Sequence, residues 1–253
     1  MGVLYKLNRT LEKLTGYTLV PTCKRGYLDR ARAAVLRGNH VELLIDAGAA
    51  NGDWTQSNTP DSFTGKMFSI EPQESRLAEV RAKASGDPRW VVAAAALGAE
   101  ESVMDLHISK NQDSSSLLDS TAENEGVFGA GVEYVGMQAG TRVAPLDALL
   151  SENGLSGLRS WIKMDVQGYE DRLIAGASEA MKVAQVVEVE LTGFPAYKAG
   201  VSMGQMVTLM VNHGFELASL DHIYYNNRRG LLAVADALFV RPEFRLGDIC
   251  PVA

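Results

Sequence analysis

Ten residues, 43–52, constrain this chain more than any other stretch. Leu43, Leu44 and Ile45 run into Asp46, and a turn with glycine at 48 and 52 follows. An apolar run ending in such a turn is how a buried strand hands over to a helix whose first N–H groups face a ligand. Glycine admits the torsions and the close backbone approach that such a turn needs. Phe68-Ser69-Ile70-Glu71-Pro72 repeats the pattern, with Glu71 closing a second short apolar run. Its distance from the turn is roughly the twenty residues at which nucleotide folds place the carboxylate for a ribose diol. Together the two segments predict an α/β fold that binds a nucleoside-bearing cofactor.

The rest of the chain alternates in the same way. Strands are expected over 43–47, 66–71, 90–95, 103–108, 161–166, 186–191, 215–220 and 235–241, the last two as a hairpin across Asn226, Asn227 and Gly230. Helices are expected after Gly52, over 74–84, from 146, over 169–181 and over 203–212. Such alternation implies a largely parallel sheet covered on both faces, with ligands beyond the carboxyl ends of the strands. Residues 109–131, rich in Ser, Asn, Asp and Gly, read as a long surface loop shaping a pocket. Before the first strand, Val3, Leu4, Leu7, Leu11 and Leu14 recur at helical spacing, and a second helix is expected from Tyr27 to about Leu36. The chain thus divides into a helical extension, 1–40, suited to a lid, a homodimer contact or packing, and an enzyme domain, 41–253.

Composition narrows the partners. With 46% hydrophobic residues over 253 the chain can bury a sizeable core. The net charge of −7 is spread along it without a basic stripe, which argues against a nucleic-acid partner. No stretch approaches the roughly twenty apolar residues of a membrane span, and Cys23 and Cys250 suit unpaired thiols in a reducing compartment. A soluble, cytoplasmic protein is the expectation.

The residues that end strands carry the chemistry: Asp46, Glu71, Asp165 with Gln167 and Gly168, and Glu188 or Glu190. Buried carboxylates are costly unless paired, so the set at one sheet edge points to a polar site. The turn also discriminates between cofactors. A dinucleotide fold wants a third glycine for its pyrophosphate, and this turn lacks it. Asp46 just before the turn would repel a pyrophosphate and attract an ammonium group. A cofactor with a ribose, an amino-acid tail and no phosphates, such as S-adenosylmethionine, fits better than NAD. The rival readings are a nucleotide-binding oxidoreductase and a binding protein that keeps the fold without catalysis.

Seven segments in order resemble the FkbM-type class I S-adenosylmethionine-dependent methyltransferases. They are Ile45 to Gly52, Ile70-Glu71-Pro72, Ala96-Leu97-Gly98, Ser115-Ser116-Leu117, Pro145 to Leu150, Ile162 to Glu170, and Asp236 to Val240. The Lys163-x-Asp165-x-x-Gly168-x-Glu170 segment is the most specific. The resemblance covers roughly 40–241 and implies a doubly wound, mostly parallel seven-stranded sheet with a helical N-terminal extension. It implies that Asp46, Gly48, Ala49, Asn51 and Gly52 form the loop under the methionine part of the cofactor. Glu71 with Pro72 would serve the ribose, Ala96 and Leu97 the adenine, and Asp165 a place near the transferred methyl. The family usually has asparagine where this chain has Ala50.

The resemblance further implies O-methylation of a sugar, glycan or polyketide-like metabolite. Methyl transfer needs alignment in a dry pocket, and a hydroxyl acceptor gains from a base. Asp165, Glu190 and His222 are the candidates, with His107 behind them. A divalent ion shared by Asp165 and Glu190 is not favoured, because no spacing supplies a third ligand. Trp54, Phe128, Tyr134 and Tyr197 are candidates for stacking on an acceptor ring.

Overall fold

A computed structural model describes residues 26–226 and 230–250. The expected helix over 2–15 and Cys23 lie outside the described residues. The first described helix, α1 (Tyr27–Arg37), buries Leu28, Ala31, Val35 and Leu36. Ten strands follow: β1 (Leu43–Ala47), β2 (Lys66–Ile70), β3 (Trp90–Ala93), β4 (Ala96–Leu97), β5 (Ser102–Ser109), β6 (Tyr134–Ala144), β7 (Ser160–Met164), β8 (Ala184–Thr192), β9 (Glu216–Asn226) and β10 (Leu231–Val240). The helices between them are α2 (Asp53–Asn58), α3 (Glu74–Ala84), α4 (Ala122–Phe128), α5 (Leu146–Glu152), α6 (Glu170–Ala175), α7 (Ser178–Val183) and α8 (Met203–Asn212). A short α9 (Leu246–Ile249) follows β10.

The main sheet has seven strands in the order β3-β2-β1-β7-β8-β10-β9. The first five are parallel, and β10 and β9 run antiparallel to their neighbours. Chain order reverses between β1 and β7, and a crevice opens at such a switch point because the following segments leave towards opposite faces. Both faces of the sheet are covered. In β1, Leu43, Ile45 and Ala47 join a core with α5 to α8, while Leu44 joins a second core with α1, Trp161 and Leu238. The alternation is that of a strand buried on both sides. A helix of the expected N-terminal extension therefore packs in the same core as the sheet.

Three expectations are corrected. The polar stretch 109–131 is not a continuous loop: Thr121 caps α4 by accepting from Asn124 N–H, and a 3-10 turn, Gly129–Val132, follows. The expected helix over 169–181 is two helices broken at Gly176-Ala177. A Cβ on Gly176 would stand 2.0 Å from the Gly98 carbonyl oxygen, so the chain passes too close there for a helix carrying side chains. The strand expected over 90–95 stops at Ala93, and Ala96-Leu97 instead joins a small second sheet, β4-β6-β5. β6 carried no burial signal to read, because most of its residues up to Gly140 are exposed.

Candidate active site

At the switch point the ends of β1 and β7 nearly touch. Asp165 N–H donates to Ala47 O at 2.9 Å, and a Cβ on Gly48 would lie 1.9 Å from Asp165 O. Gly48 has φ +83 and Gly52 +79, and Ala50 between them is also left-handed at +46. Ala50 N–H, pointed inward by that torsion, donates to Glu71 Oε2 at 2.7 Å, while Gln73 N–H donates to Oε1 at 2.8 Å. The carboxylate ending β2 is thus tied to the turn ending β1. Burial pushes the Glu71 carboxyl up to about 7 despite these two bonds.

Two clefts meet along this seam. The first is lined by Gly48, Ala50, Ile70, Glu71, Pro72, Ala95, Ala96, Leu97 and Leu106, closed by 112–117 and bounded by Asp165, Val166 and Tyr169. Glu71 stands among apolar walls here. The 109–118 segment is held over the cleft by Ser115, whose hydroxyl donates to Gln73 Oε1, and by Ser116, whose hydroxyl donates to Gln167 O. That stretch walls this cleft, and only its Asp113 also reaches the second.

The second cleft is polar. Asp29 and Arg32 come from α1, Trp54 and Asn58 from α2, Lys163 and Asp165 from the end of β7, Glu188 and Glu190 from β8, His222 from β9 and Asp236 from β10. Register explains the grouping. Asp46 pairs with Lys163, Lys163 with Glu188, and Glu190 with Asp236, so one face of the sheet carries a polar row across four strands. Arg32 closes over it with a two-point hydrogen bond to Glu188, at 2.7 and 3.1 Å, and its guanidinium lies 4.9 Å from the Trp54 ring centre. Lys163 Nζ sits 2.9 Å from Asp165 Oδ2 and 3.7 Å from Asp46 Oδ1. Burial works to lower the Lys163 pKa, but Asp165 and Asp46 outweigh it, so the ammonium persists. Burial pushes the Glu190 carboxyl up to about 8, helped by Asp165 and Asp236.

The structure sorts the expected site residues. Gly48, Glu71, Pro72, Ala96, Leu97 and Asp165 line the first cleft, and Ala49, Asn51, Glu190 and His222 the second, with Gly48 and Asp165 shared. Asp46 and Gly52 line neither. The Asp46 carboxylate is 1% exposed and accepts from Thr55 Oγ1 at 2.6 Å, and burial pushes its pKa up. It acts from behind the wall. Asn51 turns its side chain to Asp53, accepting from that N–H at 3.0 Å just ahead of α2. His107 lies elsewhere, stacked on Tyr134 at 4.8 Å between ring centres. Of the aromatic candidates only Trp54 lines either cleft. Among the described residues no group of three or more His, Cys, Asp or Glu is placed to hold a metal ion.

Sequence reasoning missed Asp29, Arg32, Asn58, Gln112 and Asp113. Arg32 sits on an otherwise ordinary amphipathic helix, and its buried partner is 156 positions away. Nothing local marks such a pair.

A doubly wound sheet with an antiparallel terminal hairpin, and a glycine turn facing a β2-terminal carboxylate across the switch point, form the class I methyltransferase fold. The chain belongs to the FkbM methyltransferase family, whose domain model, Methyltransferase FkbM domain, matches residues 46–217. No curated protein matches the chain. Among solved structures it is similar to an FkbM methyltransferase from Methylobacillus flagellatus, at 12% identity and a TM-score of 0.45 over 79% of this chain. The chain spans 43% of that protein's length. A methyltransferase from Aquifex aeolicus described as SAM-dependent aligns over 79% of this chain and 82% of its own, at 8% identity and a TM-score of 0.39. A putative RNA methyltransferase from Pyrococcus horikoshii aligns over 95% and 97%, at 12% identity and 0.41. No described helix is long and apolar enough to cross a membrane.

Proposed function

We propose that the protein transfers a methyl group from S-adenosylmethionine to a hydroxyl of a sugar, glycan or polyketide-like metabolite. The observation that carries the reading is the meeting of two unlike clefts at Gly48, Ala50, Asp113 and Asp165. One is apolar with a single buried carboxylate, and the other is lined by hydrogen-bonding groups. A methyl donor and a polar acceptor need such adjacent chambers, because in-line displacement depends on holding two reactants end to end.

The residues suit the cofactor. S-adenosylmethionine supplies an activated methyl on a sulfonium. Glu71 retains acceptor capacity on both oxygens for the ribose diol, and Ala96, Leu97 and Leu117 offer apolar surface for the adenine. Asp46 Oδ1 is buried without a hydrogen-bond partner, 3.7 Å from the Lys163 ammonium and close behind the turn where an amino-acid ammonium would lie. The turn's backbone needs no phosphate, and Asp46 disfavours one. Asp165, shared by both clefts and held by Lys163 and Gln167, would orient the reactants. Glu190, uncharged near neutral pH, can donate a hydrogen bond to an acceptor oxygen.

Isothermal titration of the full chain with S-adenosylmethionine and with NAD tests the cofactor: saturable binding of the first is expected, and binding of NAD alone would overturn the reading. With radiolabelled cofactor and neutral sugars, Asp165→Asn should lower turnover at least roughly 100-fold while cofactor affinity changes little. Full activity in that variant would refute the role given to Asp165.

A further inference from the structure

We propose that His222 is the general base that takes the acceptor hydroxyl's proton, and that Asp236 is the positioning residue that presents it. The inference rests on the methyl-transfer reading above, which leaves the base unassigned. Its ground is the way β9 is built. Val234 pairs with Tyr224 and Asp236 with Asp221, so His222 and Ile223 together oppose Ala235 alone. That is a β-bulge, a device that re-aims a side chain beside a site. His222 sits in it at φ +48, a torsion that side-chain-bearing residues rarely adopt. Regular strand geometry is given up at the residue that reaches the second cleft.

The ring is held from one side. Nδ1 lies 2.7 Å from Asp236 Oδ2, and Nε2 lies 3.5 Å from Asp29 Oδ2 on α1. A carboxylate on Nδ1 keeps the neutral ring's proton there and leaves the lone pair on Nε2, the form a base must have. Asp29, Glu190, Asp236 and Asp165 line the same cleft as His222, so Nε2, beside Asp29, borders the space assigned to the acceptor. The other carboxylates of the cleft are engaged differently. Both Asp165 oxygens accept from neighbours, Lys163 at 2.9 Å and Gln167 at 2.6 Å. Glu190 already carries its proton near pH 7.

In the transfer step an acceptor oxygen pair forms the bond to the methyl carbon. The carbon–sulfur bond breaks, its pair passes to sulfur, and the hydroxyl proton moves to Nε2. The resulting imidazolium stands between Asp236 and Asp29 and releases the proton to solvent from its exposed side. The titratable and charged groups around it are Asp236 on β10, Asp29 and Arg32 on α1, Asp221 on β9 and Glu190 on β8. Asp236, by its hydrogen bond, raises the His222 pKa most; burial works against it, and Asp29 and Asp221 add to the rise.

The test that needs no acceptor is long-range nitrogen NMR of the full chain with labelled histidine, His222 being assigned by His222→Gln. At high pH the ring should carry its proton on Nδ1, and in Asp236→Asn its titration midpoint should fall by about one pH unit. A ring protonated on Nε2, or an unmoved midpoint, overturns the proposal. With methyl glycosides as probes and labelled S-adenosylmethionine, His222→Gln should lower kcat roughly 100- to 10,000-fold with cofactor affinity unchanged. The acid limb of the kcat/KM profile should shift to lower pH in Asp236→Asn. Wild-type turnover retained in His222→Gln sinks this inference alone. A wild-type chain that binds the cofactor yet methylates none of the probes sinks the sugar reading, and the ring's protonation still decides the dyad.

Discussion

The turn after β1 predicts opposite effects at two positions two residues apart. Gly48 has φ +83, and its Cβ would stand 1.9 Å from a backbone oxygen. Placing an L residue in left-handed torsions costs about 1–2 kcal/mol. Forcing extra volume into a packed site costs about 1–3 kcal/mol more. Gly48→Ala should therefore lose about 3 kcal/mol, which for a domain of this size is a fall in Tm of about 6–12 °C. The obstructing oxygen belongs to Asp165, on the wall both clefts share, so S-adenosylmethionine affinity should fall as well. Ala50 already carries a Cβ at φ +46. Ala50→Gly relieves about 1–2 kcal/mol of torsional strain. Against that, glycine's greater freedom in the unfolded chain costs about 0.5–1 kcal/mol. A net gain of about 0.5 kcal/mol, or about 1–2 °C, is expected. Differential scanning calorimetry of the cofactor-free chain decides both. Equal signs for the two variants, or a Gly48→Ala chain melting within about 2 °C of wild type, would refute the reasoning.

Arg32→Met should destabilise by about 3–5 kcal/mol, because it leaves the buried Glu188 without its ion-pair partner, with only the Trp161 Nε1–H at 3.3 Å still donating to it. Arg32→Met with Glu188→Leu should recover most of that in urea unfolding, and a double variant as unstable as the single would argue against a buried ion pair. Glu71 supplies a pH prediction. Its folded pKa, about 7, stands above that of an unfolded glutamate, so the folded chain holds this proton more tightly. The stability it confers is complete below about pH 4.3 and is lost as pH rises through 7. Glu71→Gln should flatten that part of the decline in urea midpoints between pH 5 and 7.5, and an unchanged slope would contradict the assignment. The same variant should bind S-adenosylmethionine more weakly, since an amide oxygen is a poorer acceptor for a diol than a carboxylate; titration calorimetry reads the difference.

What the sequence makes legible is local. An apolar run, an aspartate and a glycine turn lie within ten residues, so the β1 end can be read directly, and Glu71 after β2 in the same way. The first cleft follows from those segments and from Ala96-Leu97. The second cleft is built from register and distance. Asp46, Lys163 and Glu188 align only because β1, β7 and β8 are neighbours with those pairings. Asp29 and Arg32 arrive from a helix whose charges look like an ordinary solvated face. The bulge that turns His222 inward is equally silent, since Leu220 to Tyr225 contains no glycine or proline to mark it. β6 escaped notice for the opposite reason: it has strand backbone but little buried alternation to announce it.

Asp221, beside His222, gives this architecture a consequence in time. Its carboxylate accepts from Tyr27 and Leu28 N–H at 2.8 and 3.0 Å, fastening the start of α1 to a strand 194 and 193 positions later. With the Arg32–Glu188 pair it makes the second cleft a product of widely separated segments. The first cleft is lined by no residue beyond Tyr169. Contacts of such long sequence separation form late, because the intervening loop must be closed first. The lining of the first cleft is thus synthesised before β8, β9 and β10, which the second cleft requires. On the proposed assignment of the two clefts, methyl-donor binding and acceptor binding should appear as two events, in that order, during refolding.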